Sequence, residues 1–268
     1  MEFYYPGKQF PALSVTGHKC MLNCAHCRGH YLRGMKDVSD PDRLYRLALK
    51  LFHDGASGFL LSGGSDEKGR VPLDSHMEVI KKIRRETSLT VNLHTGIVDP
   101  GTVGGLKQAS PQVISLDMVG SQETIREVYG LDIPLEDYEN SYNILRDAHL
   151  NVVPHVTVGL NGGKIKGEFR AVDIVSDTKL LILNSLIPSY IGKSVSQDDF
   201  IRVLKYARDT TDARIYLGCM RERGRVSLEK KALEKGASGI VIPARDTLKW
   251  AEEKYPVRLI YSCCAAYR

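Results

Sequence analysis

Short apolar runs alternate with helical stretches along the whole chain, and few folds accept that order. The first run is residues 12–17. Others follow at 58–62, 89–93, 113–116, 151–158, 180–186, 213–217 and 239–242. Each has the length of a buried strand. Helical faces lie between them. Leu44, Leu47, Ala48 and Leu51 fall at i, i+3, i+4 and i+7, and Asp40-Pro41 supplies an N-cap and a first-turn proline. Residues 77–85 read as a basic amphipathic helix; Tyr142, Leu145 and Ala148 mark another helical face, as do Phe200, Val203, Leu204 and Ala207. A last β-like run at 257–261 leads into the C-terminus. Eight strand-then-helix units without a break in composition predict an α/β protein. The expected form is a single parallel (β/α)8 or near-complete TIM-type barrel, one domain over residues 1–268, with the C-terminal tail over the barrel mouth. In such a barrel the chemistry sits at the C-terminal ends of the strands.

The first strand runs into Cys20-Met21-Leu22-Asn23-Cys24-Ala25-His26-Cys27, three thiols at spacing C-x3-C-x2-C. Disulfides inside so short a loop would be strained and would leave one thiol over. No apolar run is long enough for a membrane span, and residues 1–6 do not read as a signal peptide. A reducing cytoplasm is therefore expected, where clustered cysteines read as metal ligands. The formal charge of +5, from 37 basic and 32 acidic side chains, is mild and spread out, and does not indicate nucleic acid. Three thiolates can hold three irons of a 4Fe-4S cubane and leave the fourth open to a small molecule. The alternative is a structural zinc loop, closed by His18, His26, His30 or a distant residue.

This motif, just after an N-terminal strand, resembles the signature of the radical S-adenosylmethionine (SAM) enzymes. The resemblance implies that the open iron chelates the amino and carboxylate groups of SAM, and that a 5′-deoxyadenosyl radical then abstracts hydrogen. It also implies SAM contacts at the strand ends. Gly63 and Gly64 stand where the family has Gly-Gly-Glu, with Ser65-Asp66 in place of the acidic third position. His26 stands where an aromatic residue meets the adenine. Met21 and Leu22 are expected to shield the cluster from water. His94, Asp117 and His155 bring polar groups to the barrel mouth, where a ribose or an amino-acid moiety can partner them. Residues 184–192 resemble the sixth-strand segment of biotin synthase, which places Asn184 and Pro188 beside the adenosyl group.

The other three cysteines are Cys219, at the end of the seventh run, and Cys263-Cys264 near the C-terminus. Three thiols facing the first cluster across a cavity suggest a second, auxiliary 4Fe-4S cluster, with a serine, Arg221, an exogenous sulfur or nothing as fourth ligand. A vicinal disulfide or inert buried cysteines are the alternatives. Residues 58–64, 69–73 and 217–221 resemble an archaeal group of biotin synthase homologues that includes one component of a two-protein lipoyl synthase. That likeness implies sulfur insertion into an octanoyl chain on a lysine of a lipoyl carrier domain, a sister radical SAM protein and an electron donor. The chain lacks the N-terminal auxiliary cysteines and terminal Arg-Ser-Ser-Tyr of bacterial lipoyl synthases. Two other readings stay open: a hydrogenase-maturation or methylornithine-synthase-like enzyme acting on a small amino acid, or a non-catalytic iron–sulfur or zinc module. The basic helix, with Lys81, Lys82, Arg84 and Arg85, offers a surface to an acidic carrier or simply a solvated face.

Overall fold

The computed structural model describes residues 1–266. These form eleven parallel strands in one curled sheet. The strands are β1 (Glu2–Tyr4), β2 (Ala12–Ser14), β3 (Lys36–Asp37), β4 (Gly58–Ser62), β5 (Thr90–His94), β6 (Val113–Met118), β7 (Val152–Val158), β8 (Leu180–Ser185), β9 (Arg214–Leu217), β10 (Gly239–Val241) and β11 (Arg258–Ile260). Their order around the sheet is β11-β1-β10-β9-β8-β7-β6-β5-β4-β2-β3. This is the expected barrel in near-complete form. All eight sequence-derived runs and the last one become strands. Two strands were not foreseen: β1, which pairs with β10 and β11, and β3, which pairs with β2.

Helices α1 (Pro41–His53), α2 (Met77–Glu86), α3 (Pro100–Ala109), α4 (Gln122–Thr124), α5 (Glu136–Asp147), α6 (Glu168–Ile174), α7 (Gln197–Thr210), α8 (Val226–Glu234) and α9 (Arg245–Lys254) connect the strands. Their starts are chemically marked. Asp40 accepts from the amide of Asp42 ahead of α1, Asp99 from that of Thr102 ahead of α3, and Ser196 from that of Asp199 ahead of α7. A π-turn, Ile125–Tyr129, extends α4 and ends at left-handed Gly130. Among the described residues, no helix is long and apolar enough to cross a membrane.

Strand side chains alternate between two faces. One set packs against the helices: Phe59 and Leu61, Val91 and Leu93, Ile114 and Leu116, Leu181 and Leu183, Ile215 and Leu217. The other set faces the barrel interior and is polar in its upper layers, with Asn92, His94, Ser115, Asp117, His155 and Asn184. The lowest inner layer is apolar, with Val113, Val153, Ile182 and Tyr216 joined by Tyr4 and Val241.

The tail returns to the barrel as expected, but as a plug within it rather than a cover across the opening. Ser57, just before β4, donates its hydroxyl to the Tyr261 carbonyl at 3.1 Å. Cys264 and Ala265 then pack into the low apolar layer. Ala265 also lines a cavity with Val153, Leu180, Arg214 and Tyr216, at the N-terminal ends of β7 to β9. The reason is geometric: β11 sits beside β1, so the chain leaves the sheet at the seam and turns inward.

Candidate active site

The cysteine loop follows β2 and is clamped against the turn after β4. The Val15 amide donates to the Ser62 carbonyl at 2.8 Å, and Met21 to the Ser65 carbonyl at 2.8 Å. In return the Gly64 amide donates to Thr16 Oγ1 at 2.7 Å and the Ser65 amide to Cys20 Sγ at 3.3 Å. A Cβ on Gly64 would stand 2.0 Å from the Lys19 carbonyl oxygen and 2.6 Å from Cys20 Cα. The glycine pair therefore does a packing job that the sequence did not reveal: only a bare backbone lets the cysteine loop this close. The amides of Cys27 and Arg28 both donate to the Cys24 carbonyl, at 3.0 and 2.9 Å, which closes the loop into one turn.

Three thiols share this turn. Burial, then Cys20, then Cys27 push the Cys24 thiol up to about 12. A thiol held that high becomes a thiolate ligand only where a metal cation displaces its proton. It fits the three-thiolate side of an iron–sulfur cluster. Leu22 packs on the core, whereas Met21, expected to shield the site, is 66% exposed.

His26 sits edge-on to Tyr129, with ring centroids 5.4 Å apart. The π-turn holds that tyrosine, and its Val128 carbonyl accepts from the Ala25 amide at 2.7 Å. The His26 Nδ1 atom is buried with no partner. Burial lowers its pKa, against the pull of Asp117.

Below the loop, β5, β6 and β7 bring His94, Asp117 and His155 together on the inner face. His94 Nε2 lies 3.3 Å from Asp117 Oδ2, and His155 Nδ1 lies 4.0 Å from Asp117 Oδ1. Ser62 Oγ stands 3.5 Å from His94 Nδ1. Their side chains are 27%, 40% and 18% exposed although deep in the barrel, so they face its internal cavity. Burial pushes the Asp117 carboxyl up, but His94 and then His155 and His26 outweigh it and bring it to about 2. Burial works against the His94 charge too, and Asp117 reverses it, so His94 is raised. For His155 burial wins, with a value of about 4, and its Nε2 is left without a partner. Asp117 thus favours the charged form of His94, while burial disfavours that of His155. Among the described residues these three alone bring ligand atoms within 4.8 Å of one another, a geometry able to take hydroxyls of a ribose or a single metal ion.

Asn184, at the end of β8, is 4% exposed, and its Oδ1 has no partner. Gly218 makes room for it: a Cβ there would lie 2.0 Å from Asn184 Oδ1. Pro188 lies in the following loop, whose Tyr190 hydroxyl is 3.2 Å from His30 Nδ1 while Arg28 stands 5.5 Å over the Tyr190 ring. That loop therefore meets the far end of the cysteine loop. Asp66 is differently engaged. Its Oδ1 accepts from the amides of Lys68 and Arg70, each at 2.9 Å, and its Oδ2 from Arg70 Nε at 2.9 Å, so its carboxylate shapes the turn.

Of the second set of thiols, Cys263 reaches the inner face of the barrel beside Asn92, Cys264 packs in the low apolar layer and Cys219 is exposed. Tyr31, just past the cysteine loop, is raised by burial first and then by Cys27, Tyr190 and Cys219. Cys219 is likewise raised by burial and next by Cys263. Arg221, one candidate for a fourth ligand, has both terminal nitrogens engaged elsewhere. It is buried against Glu229 at 2.8 Å, and its Nη1 donates to the carbonyls of Gly218 and Val241, each at 2.6 Å. Sequence reading missed Asn92 and Ser115. Asn92 Nδ2 donates to Cys263 Sγ at 3.7 Å, and Ser115 Oγ donates to Asn92 Oδ1 at 3.1 Å. The signal was present: both lie two residues before a chosen site residue, on the same face of the same strand.

A parallel barrel with a three-cysteine loop after an early strand, and with unpartnered atoms of His155 and Asn184 on its inner face, suits a cofactor site at the strand ends. The chain matches the Radical SAM superfamily over residues 14–166, more than half its length, and belongs to that superfamily. It is 28% identical over 142 residues to biotin synthases of Geotalea daltonii and Geotalea uraniireducens. Those matches cover 51% of this chain and 42% of each relative, so the chain aligns with less than half the length of these proteins. HydG, a maturase of the FeFe-hydrogenase, has a similar fold with TM-score 0.62 at 16% identity, covering 90% of this chain and 56% of that one. Methylornithine synthase (PylB) gives TM-score 0.62 at 16% identity, over 91% and 72%. These two likenesses concern the fold.

Proposed function

We propose that this radical SAM enzyme inserts sulfur into an octanoyl chain carried on a lysine of a lipoyl carrier domain. The observation that carries the reading is the return of the C-terminal segment into the barrel, where Cys263 Sγ meets Asn92 Nδ2 at 3.7 Å on the inner face that also bears His94. Cys20, Cys24 and Cys27 would hold a cluster that with SAM would supply hydrogen-abstracting chemistry, and the second set of thiols would hold an auxiliary cluster that would supply sulfide.

The protein's own residues bind, orient and exclude water. Cys20, Cys24 and Cys27 hold the first cluster. The backbone of Gly63, Gly64 and Ser65 lies against that loop and would receive the SAM amino group. The Asp117 carboxylate, held low by His94, would accept hydroxyl hydrogen bonds, and His155 would present its unpartnered Nε2. Asn184 and the Pro188 loop cover the adenosyl side, and His26 the adenine. The tail plug adds Cys264 and Ala265 to the low apolar layer and would help to exclude water from above it. An octanoylated carrier domain, a sister protein for the other insertion, an electron donor and a reducing cytoplasm follow from this reading.

One observation favours a second substrate class. The inner face is polar through two layers, from Asn92 and Ser115 to His94, Asp117 and His155. Such a lining suits a small amino acid better than an alkyl chain. Anaerobic turnover with SAM and an octanoyl-lysine peptide, followed by mass spectrometry, separates the two. A thiolated peptide supports sulfur insertion. Formation of 5′-deoxyadenosine with an unchanged peptide, and faster with a free amino acid, supports the second class.

A further inference from the structure

We infer that the loops after β2, β7, β8 and β9 form a basic rim at the barrel mouth, and that this rim docks an acidic protein domain presenting the substrate on a side-chain arm. The nature of the arm rests on the sulfur-insertion reading; the docking surface rests on the charge and continuity of the rim.

Charge is uneven at the strand ends, although the whole chain holds 37 basic against 32 acidic residues. Residues 15–35, after β2, carry Lys19, Arg28 and Arg33 and no carboxylate. Residues 159–167 and 186–196, after β7 and β8, add Lys164, Lys166 and Lys193, again without a carboxylate. Residues 218–225, after β9, set three arginines against Glu222. The acids nearest the rim are already paired. Glu222 lies 3.9 Å from Arg225, Asp199 3.3 Å from Arg202 and Asp198 2.9 Å from Lys231, and Glu123 meets Lys166. Lys19, Arg28, Arg33, Lys164 and Lys193 are exposed, and none of them has an ion pair among the described residues.

These loops touch one another. The Lys193 amide donates to the Gly162 carbonyl at 3.2 Å, which sets Lys193 beside Lys164. Arg225 Nη1 donates to the Val195 carbonyl at 2.9 Å and joins the β9 loop to the β8 loop. Tyr190, held by His30 and Arg28, joins the β8 loop to the cysteine loop. Met21 and Tyr190 are 66% and 37% exposed on the same loops. Exposed Met, Tyr and Arg side chains together are the composition of a protein contact.

The opposite side of the mouth points to a folded partner. The loops after β4, β5 and β6 carry carboxylates, among them Asp66, Asp99 and Glu127. A nucleic-acid backbone, negative along its length, would meet them as it crossed the mouth, whereas a folded domain can place its acids on one face. The tail fills the low inner layer, so an arm reaches the cysteine loop past this rim. Helix α2, though basic, lies in the outer helical layer. There Lys82 Nζ stands 3.9 Å over the Tyr45 ring, and Arg84 Nε donates to the Ser110 carbonyl at 2.8 Å.

The test titrates an octanoylated lipoyl carrier domain of net negative charge into the anaerobically reconstituted protein at about 0.05 and 0.3 M salt. The higher salt is expected to weaken binding about tenfold. Lys164→Glu with Lys193→Glu weakens it about tenfold at low salt, chiefly through slower association. Lys164→Arg with Lys193→Arg keeps the affinity, as does Lys81→Glu with Arg85→Glu on α2. Turnover of a short octanoyl-lysine peptide stays at the parent level in every variant, which separates docking from folding and chemistry. Equal affinity of the parent and the rim Glu variant, or a loss confined to the α2 variant, overturns the docking surface and leaves the sulfur-insertion reading standing. Slower reduction by an acidic electron-carrier protein with carrier-domain affinity unmoved also overturns it, as does tighter binding of single-stranded RNA than of the domain. A peptide returned without sulfur, while the domain still binds through the rim, sinks the reading and leaves the surface in place.

Discussion

Gly64 is the residue on which the cysteine loop leans. A methyl group there meets the Lys19 carbonyl and Cys20 inside van der Waals contact, and backbone cannot swing away as a flexible side chain would. Gly64→Ala is expected to cost about 1–3 kcal/mol and to displace Cys20. Iron bound by the first site should fall while iron bound by the tail set stays; iron analysis with urea unfolding checks both. A second residue-scale expectation concerns pH. Folded His155 has a value of about 4 because burial opposes its charge, against the pull of Asp117, whereas an unfolded histidine takes its proton near 6.5. Protons therefore favour the unfolded chain as pH falls from about 6.5 to about 4, and His155 withdraws stability across that window. His155→Gln should flatten the loss; urea midpoints at pH 7 and pH 5 that shift as in the parent would refute this. Asp117 has a lower window, since its stabilising charge persists below the ordinary carboxylate range and is lost as pH falls through about 2. His94 runs the other way: its raised value gives a contribution complete below 6.5 and lost as pH climbs through its folded pKa.

At the scale of the element, β1 was invisible in the sequence and does much of the joining. It is three residues long, too short for any periodicity to register. Its partners β10 and β11 lie more than two hundred residues away along the chain. Glu2 explains its place. The carboxylate accepts from Tyr4 Oη at 2.9 Å and from Tyr216, Arg214 and Arg258, so it ties β1 to β9 and β11. Burial raises the Glu2 carboxyl, but Tyr216, Tyr4, Arg258 and Arg214 outweigh it and hold it at about 2. This stability is present above the ordinary value of 4.5 and lost as pH falls through about 2. Glu2→Gln should cost about 3 kcal/mol at neutral pH and very little at pH 2, read by thermal melts at both. The amphipathic helices were, by contrast, legible. Asp40-Pro41 began α1 as expected, because a cap acts over only two or three residues.

Over the whole molecule, the curled sheet leaves a seam between β11 and β3, and the tail crosses it to fill the low inner layer. A chain ending at Ile260 should lose about 2 kcal/mol of apolar burial and exchange amide hydrogens faster in β5 and β6. Unchanged exchange in those strands would show that the plug does not matter. The sequence alone determined the strand–helix alternation, the spacing of Cys20, Cys24 and Cys27, and the period that puts His94, Asp117 and His155 on one face. All of these are set by neighbours a few residues apart. Tertiary structure alone decided that Glu2 would anchor a strand, that Gly64 would press on Cys20, and that Asn92 would meet Cys263 across 171 positions of chain. Such meetings depend on sheet curvature and strand register, which emerge only when all the strands are paired at once.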